Sequence, residues 1–186
     1  TIVSDNTGNY GIYVDSGNPS ITYSNIYNNQ NGNFYNIGNY VGVNVTTNAN
    51  GDSCDAYINI QENPYFVNSN SGDYHLSDYS PCIGAGTATD AHEPIPEGSN
   101  PDMGAYENAL GTPAEHIVIT NDSLVVLEDS SSTIDLLDND LILNITSFTS
   151  AIVDSADNGT IALVGDTALT YTPDENFFGY DTLSYR

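Results

Sequence analysis

Short runs of apolar residues separated by polar turn residues follow one another along the first part of the chain. GIYVDSG, PSITYSNIYNN and YVGVNV place Ile, Val and Tyr between Gly, Asn and Ser, and residues 1 to 70 hold 17 asparagines. Each run is too short for a helix and is typical of a short strand bounded by tight turns. Asparagine tolerates left-handed backbone, and its amides also bond one another on successive coils. The pattern therefore predicts a parallel β-helix.

A second pattern begins near Ile117 and continues to the end of the chain. Seven short apolar runs, separated by Asp, Asn and Gly, predict the strands of an antiparallel sandwich: HIVIT, SLVVLE, STIDLL, NITSFT, GTIALV, ALTYTP and DTLSY. The segment before them, residues 109–116, is small and polar with Gly and Pro, which is typical of a linker. We therefore predict an all-β chain with a β-helix part at 1–108, a linker at 109–116 and a sandwich at 117–186.

The N-terminal motifs resemble a known family. GIYVDSGNPSITYSNIYNN, ENPYFVNSNSGDYHLSDYSPCIGAGT and NPDMGAYEN are similar to the final coils of right-handed parallel β-helix proteins, which occur on bacterial surfaces and among secreted polysaccharide-active enzymes. The resemblance covers about residues 8 to 108 and implies late solenoid coils followed by a closing segment. Because a solenoid needs about three stacked units to bury its face, we expect further coils to precede Thr1.

The C-terminal motifs resemble another family. Glu128-Asp129, IDLLDND and DNGTIALVGDTALTYTPDENFFGYDTLSY are similar to the cadherin-like tandem repeats of giant bacterial adhesins, over residues 117–186. The resemblance implies an Ig-like or cadherin-like sandwich that normally extends a few residues beyond 186. Large aromatic side chains are the expected core of this sandwich: Tyr171, Phe177, Phe178 and Tyr185.

The charge of the chain excludes several classes of partner. It has 25 acidic residues, and Arg186 is its only basic residue, which gives a formal net charge of −24. Nucleic acid and anionic membranes are bound mainly through Lys and Arg, so neither is an expected partner. No apolar run approaches the roughly 20 residues of a membrane-spanning helix, so we expect no membrane insertion. Such self-repulsion requires screening, which favours a salty or calcium-bearing medium at the bacterial surface or outside the cell.

Acidic residues near predicted turns of the sandwich suggest calcium as the bound ion. Calcium prefers several oxygen ligands, and relatives of this sandwich often bind it between neighbouring domains. Asp138 and Asp140 are the first predicted ligands, followed by Glu128 and Asp122. The competing interpretation is that Asp and Asn are simply the favoured residues of turns.

No motif in the chain indicates catalysis. Uronate lyases of the β-helix fold depend on Arg or Lys, which the predicted solenoid lacks, and Schiff-base chemistry requires a lysine. A glycosidase needs two carboxylates about 5 to 9.5 Å apart, and Asp102 and Glu107 are the best-placed candidates. They lie in the closing motif, where turn capping and solvation also explain them. We therefore predict no catalytic residue and no cofactor besides calcium.

The cysteines and histidines give weaker indications. Cys54 and Cys82 form a disulfide in an oxidising compartment or are small buried apolar residues, and the sequence leaves both open. The three histidines match no metal-binding spacing: His75, His92 and His116.

These features predict a non-catalytic segment of a large modular extracellular protein, acting in adhesion or as a structural surface filament. The expected partners are glycans, with exposed tyrosines as contacts, or neighbouring copies and modules of a surface assembly. The tyrosines considered are Tyr10, Tyr13, Tyr23, Tyr27 and Tyr35. The alternative is the accessory C-terminal part of a secreted polysaccharide-degrading β-helix enzyme, with its catalytic coils upstream.

Overall fold

The chain divides into two compact units, Thr1–Ala114 and Glu115–Arg186. The structure is a computed structural model, which describes residues 1–38, 40–87 and 94–186. Within these ranges the regular structure consists of short strands and one 3-10 turn, and no helix is long and apolar enough to span a bilayer. The prediction of an all-β chain is confirmed. The boundary between the units falls within residues 109–116.

Short strands form the described part of the N-terminal unit, because its apolar runs are brief and end at Asn, Gly or Asp. Their bounds are β1 Ile2–Ser4, β2 Ile12–Tyr13, β3 Asn25–Tyr27, β4 Phe34–Tyr35, β5 Thr46–Thr47, β6 Ser53–Cys54, β7 Phe66–Asn68 and β8 Asp73–Leu76, with the 3-10 turn at Ser69–Ser71. β5 pairs with β6 and β7 pairs with β8 in antiparallel ladders.

Parallel pairing at a regular spacing distinguishes the first 35 residues. β1 pairs with β3, where Ile2 lies opposite Asn25, 23 residues later. β2 pairs with β4, where Ile12 lies opposite Phe34, 22 residues later. Parallel strands need a connection that returns the chain to the same edge, so this spacing corresponds to one circuit of the chain.

A third level stacks on β3. The Ile26 amide donates to the Ile60 carbonyl at 3.1 Å, and the Ile60 amide donates to the Ser24 carbonyl at 2.9 Å. Three levels of the chain therefore lie in parallel, but a closed β-helix coil is not shown within the described residues. The β-helix remains a prediction.

Asparagine amides connect these levels. The Asn6 amide group donates to the Asn29 side chain at 2.6 Å, Asn29 donates to Asn33 at 3.0 Å, and Asn33 donates to Gln61 at 3.0 Å. Asn29 also donates to the Val3 carbonyl at 3.2 Å. Inward asparagines thus satisfy backbone groups and each other, which explains why asparagine is dense in this part of the chain.

A buried carboxylate organises the loop between β6 and the third level. Asp55 has no exposed surface. Its two oxygens accept hydrogen bonds from the backbone of Gly42, Tyr57 and Asn59 at 2.8 to 2.9 Å, and from the Asn59 side chain at 3.0 Å. Four donors compensate for the lost hydration of this charge. Asp55 is therefore structural.

The core of the N-terminal unit lies between the third level and the closing segment. Its fully buried members include Ile60, Cys82, Ile83 and Met103. The half-buried side chains of Ile2, Ile58 and Phe66 pack against them. The core thus joins residues from the first 70 positions to the SPCIGAG and DMGAYE motifs.

The described strands of the C-terminal unit pair only in antiparallel ladders. Their bounds are β9 His116–Val118, β10 Ser132–Asp135, β11 Leu141–Leu143, β12 Ile152–Asp154, β13 Gly159–Val164, β14 Ala168–Pro173 and β15 Ser184–Tyr185. The order β10-β14-β13 forms one sheet, while β9 pairs with β11 and β12 pairs with β15. β13 and β14 form a hairpin whose loop contains Gly165 in left-handed conformation.

Two predicted strands are wrong. Neither the residues of SLVVLE (123–128) nor those of NITSFT (144–149) form a strand in the described residues. The structure instead has two strands that the pattern did not predict, β11 and β12, each of only three residues. Alternation alone predicts an extended backbone, whereas pairing depends on a neighbour that is remote in sequence.

The predicted aromatic core is also partly wrong. Tyr171, Phe177 and Tyr185 are half-buried, but Phe178 is 88% exposed and faces solvent. The fully buried apolar side chains of this unit include Leu136 and Leu169, each 2% exposed. Phe178 follows Phe177 directly in an irregular segment, so only one of the two neighbours turns inward.

Candidate functional site

The closing segment of the N-terminal unit contains the two carboxylates considered for catalysis. Asp102 Oδ1 accepts the Gly84 amide at 2.8 Å, and Oδ2 accepts the Asn108 amide at 2.7 Å. The Asp102 amide in turn donates to Glu107 Oε2 at 2.9 Å. Gly84 has a φ of 63°, and a Cβ there would lie 2.4 Å from the Gly111 carbonyl oxygen. Only glycine therefore fits where the two closing motifs cross.

Asp102 and Glu107 also line a cavity of about 290 Å³ together with Thr22 and Tyr23. Burial raises the pKa of Asp102, and hydrogen bonds from the Gly84 and Asn108 amides oppose that rise. A raised pKa is one requirement of a glycosidase acid. However, both oxygens of Asp102 also accept main-chain amides, so this carboxylate bridges the loops that contain Gly84 and Asn108. The geometry makes Asp102 a cap for two loops.

In the C-terminal unit, two of the four predicted calcium ligands approach one tyrosine. Tyr185, in β15, donates its hydroxyl proton to Asp122 Oδ2 at 2.5 Å. Burial raises the pKa of Tyr185, and the hydrogen bond to Asp122 and the charges of Asp122 and Asp140 raise it further. The structure therefore brings Asp122 and Asp140 into the same electrostatic environment although they are 18 residues apart in sequence.

One oxygen of this pair lacks a partner. Asp140 Oδ1 accepts the Thr120 amide at 2.7 Å, and the neighbouring Asn139 side chain donates to the Asn121 carbonyl at 3.1 Å. Asp140 Oδ2 is shielded from solvent and has no hydrogen-bond partner among the described residues. Buried carboxylate oxygens are normally satisfied, so this atom is a candidate ligand for a cation.

The other two predicted ligands lie apart from this pair. Glu128 and Asp138 are exposed, and no hydrogen bond in the described residues joins either to Asp122 or Asp140. Within residues 1–38, 40–87 and 94–186, no three Asp, Glu, His or Cys side chains lie together as a potential metal site. The carboxylate set that the structure brings together is thus a pair, and a cation there needs backbone or water oxygens as well.

A tyrosine cluster lies on the surface of the N-terminal unit. The rings of Tyr13 and Tyr35, which lie opposite each other in β2 and β4, are parallel within 2° and have centroids 4.8 Å apart. Tyr10 packs against Tyr35 at 4.8 Å. Tyr13 remains 54% exposed and Tyr35 43%. Mutual stacking occupies the facing sides of the Tyr13 and Tyr35 rings, and both residues keep part of their surface open to solvent.

The cysteines and histidines of the described residues form no second site. Cys54 and Cys82 are free thiols buried in one core cluster, and burial raises the pKa of Cys82 to about 11. His75 Nδ1 pairs with Asp73 at 2.7 Å on the surface, and His116 begins β9. His92 lies outside the described residues.

Comparisons with known proteins give a match for the C-terminal part of the chain. A family model for a bacterial Ig domain matches residues 113–186. The C-terminal unit is Ig-like. Domains of this kind occur in modular bacterial surface proteins, so the chain contains a module typical of that class. No curated protein and no solved structure matches the chain.

Sequence reasoning missed Asp181 and the polar role of Tyr185, both of which organise the C-terminal unit. Asp181 accepts the amides of Asn158 at 2.8 Å and Thr182 at 2.9 Å, as well as the Tyr171 hydroxyl at 3.1 Å. Tyr185 was predicted as an apolar core residue, but its hydroxyl bonds Asp122. The sequence signal for these hydrogen bonds was that aspartate and tyrosine occur next to apolar strand positions. A tyrosine hydroxyl that is buried there needs a hydrogen-bond acceptor.

Proposed function

We propose that this chain is a non-catalytic segment of a modular bacterial surface or secreted protein and acts in adhesion or as a structural filament. The match of residues 113–186 to a bacterial Ig domain is the observation that supports it most. The parallel levels of the N-terminal unit support the further proposal that this unit is the end of a right-handed parallel β-helix. Such a solenoid presents an elongated polar surface, and the Ig-like unit serves as a spacer.

The absence of catalysis is part of this proposal. Its support is that buried carboxylates act as acceptors for the main chain. Asp55 bonds three backbone amides, and Asp102 bonds two. An acid or nucleophile must present an oxygen to the substrate, and carboxylates that hold main-chain amides suit a scaffold better than a reaction site.

Glycan binding is the proposed adhesive activity, with Tyr10, Tyr13 and Tyr35 as the contact. Tyrosine combines a rigid apolar body with a hydroxyl group, which suits contact with the apolar faces and hydroxyls of sugars. The cluster spans two parallel levels, and Tyr13 and Tyr35 are exposed, whereas Tyr10 is partly buried. The net charge of −24 favours neutral polysaccharides over uronate-rich ones.

Retention on immobilised neutral polysaccharides in affinity electrophoresis tests this activity. The Tyr13→Ala/Tyr35→Ala variant is expected to bind at least about tenfold more weakly, because aromatic anchors dominate small contacts. Tyr74→Ala is the matched control, since Tyr74 is 52% exposed but lies on β8 outside the cluster. Retention that is equal in both variants contradicts a role for the cluster.

Calcium is proposed as the stabilising ion of the Ig-like unit. The unpartnered Asp140 Oδ2 fits such an ion, and Asp122 is the second residue that would hold it. A bound divalent cation would neutralise part of a repulsion that nothing inside this unit except Arg186 can offset.

Chelation tests the calcium proposal. At calcium one hundred times its Kd the ion adds about 2.7 kcal/mol, so excess EDTA should lower the Tm of the Ig-like unit. Asp122→Asn/Asp140→Asn should abolish the response, whereas Glu128→Gln/Asp138→Asn should retain it. An identical Tm with and without chelator contradicts the proposal.

A further inference from the structure

We propose that the unpaired segment Asp122–Leu127 of the Ig-like unit is a docking edge for a basic β-strand from another protein. In the described residues, no backbone amide or carbonyl of Ser123 to Val126 bonds another residue. Residues on either side of the segment are tied to other parts of the unit, because Asn139 donates to the Asn121 carbonyl at 3.1 Å and the Asn176 amide donates to Asp129 Oδ1 at 3.0 Å. The segment therefore offers free donors and acceptors between two held points, which is the requirement for strand addition.

The side chains of the docking edge alternate between two environments. Leu124 and Val126 are partly buried, whereas Val125 is 92% exposed and Leu127 is 77% exposed. Isolated exposed apolar residues are common, but two at alternate positions of an unpaired strand form an apolar row. A strand that pairs here would cover this row with its own alternate side chains.

A second segment with exposed aromatic side chains is linked to the chain just after the docking edge. The Asn176 amide donates to Asp129 Oδ1 at 3.0 Å, and Asp129 lies two residues after Leu127. The linked segment contains Phe178, 88% exposed, and Tyr180, fully exposed. Large aromatic side chains are enriched where proteins bind one another. The proposed surface therefore consists of Val125 and Leu127 on the docking edge, with Phe178 and Tyr180 on the linked segment.

The acidic residues beside the docking edge indicate which kind of partner fits it. Acidic residues flank the docking edge on both sides, with Asp122 at its start and Glu128 and Asp129 directly after its end. The only basic residue of the chain is Arg186, and a second copy would add another 24 negative charges. Like charges across an interface cost affinity, and opposite charges speed association. The fitting partner is an extended segment with alternate apolar side chains and flanking Lys or Arg.

The peptide KKVTVTVKK tests the docking edge on the full chain by NMR titration. It should bind and shift the amide resonances of residues 122–127, and binding should weaken as salt rises. Val125→Ser/Leu127→Ser should weaken binding at least about tenfold. The matched control is Val153→Ser/Val164→Ser, which alters two exposed valines on the paired strands β12 and β13 and should bind as the wild type does.

Two further peptides separate the contributions. EEVTVTVEE, with the charges reversed, should not bind, and KKVTPTVKK, which lacks one backbone donor, should bind more weakly than the parent. The proposal is overturned if KKVTVTVKK does not bind, or if the Val125→Ser/Leu127→Ser variant binds it unchanged. It is also overturned if sedimentation shows a dimer that this variant abolishes, because the edge then belongs to a second copy.

Discussion

Short apolar runs occur in both units, but their side chains are buried to different degrees. In the N-terminal unit, apolar side chains such as Ile60 and Ile83 are fully buried, and asparagine amides link successive levels. In the Ig-like unit, Val125 and Phe178 are almost fully exposed, although they occupy equally apolar runs. Short apolar runs therefore become core only where another segment covers them. Stacked levels supply that cover within the N-terminal unit, whereas part of the apolar surface of the Ig-like unit stays exposed in the described residues.

Truncation of a large side chain should give the largest difference between the units. Ile83→Ala removes a fully buried side chain and should destabilise the N-terminal unit by about 2 to 5 kcal/mol, because a cavity remains. Val125→Ala should change the stability of the Ig-like unit by less than about 0.5 kcal/mol. Urea unfolding followed by unit-specific NMR signals measures both. Equal losses would contradict the contrast between the units.

Loss of one ladder amide should have a smaller effect. Asn29→Ala leaves the Asn6 amide and the Val3 and Tyr27 carbonyls without this partner, so we expect a loss of about 1 to 3 kcal/mol in the N-terminal unit. Asn31→Ala is the control, since Asn31 is exposed and its side chain makes one long bond of 3.4 Å. The ladder would be shown to be dispensable if the two variants unfolded at the same urea concentration.

The smallest expected difference between the units is in how their stability depends on pH. In the Ig-like unit this dependence involves Asp181. Desolvation opposes ionisation of Asp181, but bonds from Asn158, Asp157, Thr182 and Tyr171 outweigh it and lower the pKa. A lowered folded-state pKa gives stability that is present above the unfolded value of 3.8 and is lost as pH falls through the folded value. The Tm advantage of the wild type over Asp181→Asn should therefore shrink below pH 4. A constant advantage down to pH 2 would exclude this linkage.

The N-terminal unit contains carboxyl groups whose pKa values shift in the opposite direction on folding. Burial raises the pKa of Asp52, Glu62 and Asp102. A raised folded-state pKa favours the folded state below the unfolded value, and this benefit is lost as pH rises through the folded value. Glu62→Gln should therefore gain Tm relative to the wild type as pH rises from 4 to 7, as measured by calorimetry. A gain that is independent of pH would show that Glu62 does not titrate differently on folding.

Sequence reasoning predicted what depends on local pattern. The all-β class follows from short alternating runs and turn residues, and the Ig-like C-terminal part was expected from its resemblance to a known family. Asparagine side chains also form hydrogen bonds between levels, as expected. Pairing could not be predicted, because SLVVLE alternates as β13 does but lacks a neighbouring strand. The approach of Asp122 and Asp140 also could not be predicted, since it depends on Tyr185, which lies 63 residues after Asp122 in sequence.

The roles of buried acids were equally hidden from the sequence. Asp102 lies in a motif that looks the same whether its carboxylate caps loops or faces a substrate. The bonds from the Gly84 and Asn108 amides, which the structure reveals, support the capping role. The sequence could likewise not reveal that Asp55 is fully buried, because its four donors come from the following loop, at Tyr57 and Asn59, and from Gly42 earlier in the chain.

Release of reducing ends from neutral and acidic polysaccharides incubated with the full chain tests the central claim most directly. Asp102→Asn and Glu107→Gln serve as paired variants. If the carboxylates of the closing segment support the main chain, the wild type should release no more sugar than a protein-free blank. Sugar release by the wild type that both substitutions abolish, while the fold is retained, would contradict the account.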